Sequence, residues 1–238
     1  MTSQINAENL AALEVIKFPG KIVTVNTENE AYTAAESLMN ETVVGIDTET
    51  RPSFRKGIMH NVALVQISTW DTCYLFRICR INNIHAIKQI LESTGTLKIG
   101  LSLKDDFAGL RRLLPIIPHH YIELQQYATA FGIEEMSLQK IYALLFGRKI
   151  SKTQQLSNWE APELTNAQQL YAATDAWACL HIYKALKGEP LPTEYRKIFQ
   201  TPQLKGTRNY LLYLEAFPIN KSFLNQTTTA KSIFKIWP

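Results

Sequence analysis

From residue 165 onward the chain reads as a helix with almost no polar face. Thr165 and Gln168 have the Thr-x-x-Gln spacing of a capping box, which marks where it begins. Beyond that start, Leu170, Ala172, Ala173, Ala176, Trp177, Ala178 and Leu180 place apolar groups on nearly every side. A helix of that kind is buried. Its cover comes from earlier in the chain, where β-rich runs stand at 21–25, 43–48, 62–68, 73–76 and 97–101. The runs at 43–48, 62–68 and 73–76 are separated by turn-prone stretches only and are expected to be consecutive, antiparallel strands. Helical patterns occupy 28–40, 84–92 and 105–114, the last ended by Pro115, and helices dominate from there to 187. Strands early and helices late predict an α/β fold, a mixed sheet flanked by helices.

With 238 residues and 46% hydrophobic content, one core can grow large enough to enclose a site without disulfides. The three cysteines are odd in number and show no Cys-x-x-Cys spacing, so reduced, buried thiols are expected. The first twelve residues lack the charged and apolar regions of a secretory signal, and no run approaches the roughly 20 apolar residues of a membrane span. Cytoplasmic residence without a membrane partner is the expectation. Gly188, Pro190 and Pro192 interrupt the last helix and divide a main domain, 1–188, from an extension, 189–238. The net charge of +4 lies wholly in the extension, which has seven basic and three acidic residues and eight aromatic ones. Docking onto the main domain is the expected role of so aromatic a segment, and contact with nucleic acid the alternative.

Three small clusters carry chemistry. In Gly45-Ile46-Asp47-Thr48-Glu49, two carboxylates follow an apolar strand two residues apart, hence on one face if the strand continues. There they would repel and lose hydration unless a cation accompanies them. If the strand stops at Ile46, they are solvated loop residues. On the buried helix, Tyr171 and Asp175 stand at i and i+4 on one face, as part of a site or as a structural hydrogen-bonded pair. In Leu103-Lys104-Asp105-Asp106-Phe107, either aspartate can cap the helix that follows; Asp105 is assigned that role, and spacing leaves Asp106 open.

Taken together and in this order, the clusters resemble the motifs of the DEDDy group of 3′→5′ exonucleases. Asp47-x-Glu49 matches the first motif, Asp106 the second and Tyr171-x-x-x-Asp175 the third. The resemblance is to the exonuclease domain of the Werner syndrome protein and its bacterial relatives, and extends to ribonuclease D. It spans about residues 20–187. Further matches are Val62-Ala-Leu-Val-Gln-Ile, Cys73-Tyr-Leu-Phe and Leu156-Ser-Asn-Trp-Glu. The family register, with the second-motif acid five residues before an Arg-rich turn, selects Asp106 over Asp105.

This resemblance implies a ribonuclease H-like fold and phosphodiester hydrolysis from 3′ ends of nucleic acid, DNA favoured over RNA. It implies two ions, Mg²⁺ or Mn²⁺, held by Asp47, Glu49, Asp106 and Asp175, with Tyr171 orienting the attacking water. Thr48 and Thr50 are candidates for contact with the terminal nucleotide, and Arg51, Arg55, Lys56 and Lys104 for contact with phosphates. Ribonuclease D-like processing of RNA, or nucleic-acid binding without catalysis, are the alternatives. His119-His120 is expected to be loop, and Trp159 to be core.

Overall fold

The structure is a computed structural model that describes residues 4–55 and 57–188. The extension at 189–238 and Lys56 lie outside the described residues. In chain order the elements are α1 Ala7–Ala12, β1 Val15–Ile16, β2 Lys21–Val25, α2 Glu28–Met39, β3 Val43–Thr50, β4 Val62–Ser68, β5 Thr72–Arg77, α3 His85–Glu92, β6 Leu97–Gly100 and α4 Leu103–Arg111. After these come β7 Tyr121–Glu123, α5 Leu124–Thr129, α6 Leu138–Phe146, β8 Lys149–Ile150 and α7 Asn166–Lys187. Six strands form one sheet in the order β2-β5-β4-β3-β6-β7. The hairpins β3-β4 and β4-β5 are antiparallel as expected, while β2, β6 and β7 add in parallel and make the sheet mixed.

Alternation along β3 explains the layers. Val44 and Ile46 point into a core shared with Ala31, Ala35 and Leu38 of α2, Ile87 and Ile90 of α3, and Phe107 and Leu110 of α4. Gly45 points the other way, toward α7. A Cβ there would lie 1.9 Å from the carbonyl oxygen of Ala176, so only glycine lets the helix backbone approach the central strand so closely. The strand therefore shows α7 the face that also carries Asp47 and Glu49.

Helix α7 begins with the expected capping box and ends at Gly188 in the left-handed region, φ 76°. Helix α4 departs from the sequence expectation at both ends. It starts at Leu103, two residues early, because the Glu123 carboxylate accepts from the Ser102 and Leu103 amides at 3.0 and 2.7 Å. It stops at Arg111, where amides 112 and 113 tighten onto carbonyls three residues back before Pro115. Cys73 and Cys179 are buried, but Cys79 is exposed, because it follows the end of β5 at the turn into α3. Among the described residues no helix is long and apolar enough to cross a membrane.

Candidate active site

Strand β3 continues through Thr50, so Asp47 and Glu49 are strand residues, paired across the antiparallel ladder with Gln66 and Leu64. The Gln66 amide donates to Asp47 Oδ2 at 3.2 Å and fixes that carboxylate from the neighbouring strand. A register shift between Glu49 and Thr50 ends the regular pairing and turns the chain away immediately after the second acid.

Asp175 reaches the same place from α7. Ligating oxygens of Asp47, Glu49 and Asp175 all lie within 4.8 Å of one another. Tyr171, one turn earlier, packs its ring against the fully buried Trp159, with centroids 5.9 Å apart. Trp159 is thus core, as expected, and its position sets that of the tyrosine.

Asp106 arrives from the opposite layer. Thr48, between the two strand acids, points toward α4 and donates from Oγ1 to Asp106 Oδ1 at 2.5 Å. Asp106 therefore sits beside Asp47 rather than inside the tight triad. Its helix is anchored by Glu123, and Ser102 ahead of it adopts a left-handed conformation, φ 65°, that a non-glycine residue holds only when its surroundings enforce it. Asp105 is exposed and makes no capping hydrogen bond; Glu123 does the work assigned to it from sequence.

Burial dominates the electrostatics. It raises Asp47 to about 8, helped by Asp175, and Glu49 to about 10, helped by Asp47, Asp175 and Asp106. Asp106 is also pushed well up, by burial and then Asp47. Asp175 rises to about 7 by burial, moderated by a hydrogen bond from Tyr171 and by the charge of Lys152. Burial, then Asp175, Glu49 and Asp47, push the Tyr171 phenol far above its ordinary value. Protein groups compensate this cluster only in part: among the described residues, Asp106 Oδ2 and Asp175 Oδ1 are buried without a hydrogen-bond partner. An all-carboxylate donor set with orphaned oxygens suits hard divalent cations. Because folding raises these pKa values, the cluster's contribution is most favourable below the ordinary carboxylate range of about 4, falls as pH rises from there, and is lost once pH has passed the raised values of about 7 to about 10. Chelated protein should consequently melt lower at about pH 8.5 than at about pH 6 as far as this cluster is concerned. Added Mn²⁺ should raise the melting temperature more at the higher pH, where the acids are ionised. A Mn²⁺ shift that fails to grow with pH, read by differential scanning fluorimetry, would contradict this assignment of the cluster.

The acids and Tyr171 line a cleft of ≈ 360 Å³, together with Thr48 and residues from α5, α6 and the segment after β8. Of the other residues expected from sequence to meet the substrate, Lys56 lies outside the described residues. Thr50, Arg51, Arg55 and Lys104 do not line the cleft; Arg51 donates to Glu160 Oε2 at 3.2 Å, and Glu160 also meets His60 Nδ1 at 3.1 Å. Sequence reasoning missed Gln66, Glu123 and Lys152. Only Gln66 carried a signal, since a lone amide in an apolar strand run needs a buried partner.

Comparison with known proteins shows which family the chain belongs to. The profile of a family described as 3'-5' exonuclease matches residues 22–189. The chain is 31% identical over 184 residues to the bifunctional 3'-5' exonuclease/ATP-dependent helicase WRN of Mus musculus, a match covering 73% of this chain but only 13% of that protein. It is 29% identical over 204 residues to a 3'-5' exonuclease of Arabidopsis thaliana, covering 79% of this chain and 70% of that one. In fold it resembles Escherichia coli RNase D, an exoribonuclease, with a TM-score of 0.64 at 21% identity over 71% of this chain and 44% of that one. A mixed sheet with helices on both faces, α7 laid across its central strand and a matching profile over residues 22–189 together place this chain in the 3'-5' exonuclease family.

Proposed function

We propose that this chain removes nucleotides from the 3′ ends of nucleic acid, DNA in preference to RNA, with two divalent ions, Mg²⁺ or Mn²⁺, held by Asp47, Glu49, Asp106 and Asp175. The observation that carries it is the only partly compensated acid cluster: three carboxylates within 4.8 Å, a fourth beside them, and two orphaned oxygens. Two bound ions would stabilise the attacking and departing oxygens of an in-line displacement at phosphorus.

The chain's own residues supply the rest. Gln66 and Thr48 hold Asp47 and Asp106 in place by the bonds described above. Tyr171, kept protonated by burial and by its acidic neighbours, donates a hydrogen bond and does not act as a base. It is placed to orient the attacking water. Thr48, in the cleft, and Thr50 are assigned to the terminal nucleotide, and Arg51, Arg55, Lys56 and Lys104 to phosphates of the strand.

DNA is favoured on the resemblance to the Werner-type exonuclease. Parallel digestion of end-labelled DNA and RNA of the same sequence, with and without chelator, tests the reading. Metal-dependent shortening from the 3′ end, faster on DNA, is expected. Faster loss of RNA would replace the DNA preference with RNA processing. Binding without shortening of either strand would leave a nucleic-acid-binding module.

A further inference from the structure

The wall of the cleft facing the acids is built from α6, β8 and the turn after β8, and it carries a single cation. Among the described residues, Lys152 is the only lysine or arginine that lines the cleft. Its charge is felt at Asp175, yet it forms no ion pair with a described residue.

Its backbone is held on both sides. Two residues earlier, Ile150 pairs with Ile16 of β1, and its carbonyl accepts from the Gln139 side-chain amide. The Ser151 hydroxyl accepts from the Thr153 amide at 3.2 Å, and the Lys152 carbonyl accepts from the Gln155 amide at 3.3 Å. A long exposed cation on a fixed turn, aimed into an acidic cleft, is placed for a ligand rather than for the fold.

Charge balance says which ligand. Four carboxylates offset two divalent ions and leave nothing over for the phosphodiester, whose non-bridging oxygens gain charge during attack. We propose that Lys152 is a further catalytic residue whose ammonium meets a non-bridging oxygen of the scissile phosphate and stabilises the charge that develops there. The inference rests on the exonuclease reading above. In the step itself the water gives up a proton to solvent as its oxygen bonds to phosphorus, and the bond to O3′ of the preceding nucleotide breaks. That oxygen leaves as a hydroxyl with a proton from solvent, while Lys152 keeps its own protons throughout.

The test compares Lys152→Gln and Lys152→Arg with the unaltered protein, using end-labelled DNA and Mn²⁺. Lys152→Gln should lower kcat about 100-fold with KM within about threefold. Lys152→Arg, which keeps the charge, should recover at least about tenfold of that loss. Calorimetric Mn²⁺ affinity without DNA, and the melting temperature, should not fall in either variant, because Lys152 repels cations and is exposed. Weaker Mn²⁺ binding in step with the lost rate would overturn the proposal by showing that Lys152 only props Asp175. Full activity of Lys152→Gln beside an active unaltered protein would overturn it too, leaving the exonuclease reading intact. An unaltered protein that shortens no 3′ end would sink both together.

Discussion

Alanine at Asp47 or Asp175 should take nuclease activity to background and at the same time raise the melting temperature of the metal-free protein. The two effects share a cause. Each carboxylate is buried, and Asp47 is also raised by the charge of Asp175, so without ions the cluster opposes folding at neutral pH. Removing one acid relieves both penalties, and for a domain of this size each kcal/mol relieved is worth roughly 2–4 °C. The same deletion removes a side chain that no neighbour can replace as a metal ligand. Mn²⁺ should therefore stabilise the unaltered protein and hardly affect the variants. Asp105 and Asp106 give an internal control. Asp106 lines the cleft and is held by Thr48, whereas Asp105 is exposed, so Asp105→Ala should keep far more activity than Asp106→Ala. A robustly active Asp47→Ala or Asp175→Ala protein in a 3′-end digestion would sink the metal assignment, and the reverse order of Asp105 and Asp106 would show that the wrong aspartate was chosen.

What the sequence reveals here depends on how local the cause is. The capping box at Thr165, the face shared by Tyr171 and Asp175 and the alternation of Val44, Ile46 and the acids of β3 are set by neighbours within four residues, and all are present. The start of α4 leaves no local signal, because its cap, Glu123, lies 20 residues downstream on β7. The pairing of β1 with β8 joins two-residue strands 134 positions apart, too short to leave a pattern. Periodicity could not separate Asp105 from Asp106, since adjacent helical residues differ by about 100° and either could face inward; family register separated them. Basic residues near the first motif drew attention by proximity in sequence. The cation that lines the cleft, Lys152, is brought there by the folding of α6 and β8 over α7.

Tyr171→Phe should lower kcat on the order of 100-fold while KM, Mn²⁺ affinity and thermal stability stay near those of the unaltered protein. The ring accounts for the packing: it rests on Trp159 and is 9% exposed, and phenylalanine fills the same volume. Only the hydroxyl is lost, and with it the hydrogen bond to Asp175 and the donor that orients the attacking water. The pH dependence decides between donor and base. Burial, then three neighbouring acids, raise the phenol far above its ordinary value, which suits a donor and adds no ionisation of its own near neutral pH. The profile of Tyr171→Phe should then be parallel to that of the unaltered protein and displaced downward. If the substitution instead removed an ionisation from the profile, Tyr171 would be a base and the site's electrostatics would need to be reassigned. If KM rose with kcat unchanged, the hydroxyl would be a substrate contact and the water would have to be oriented by the carboxylates alone.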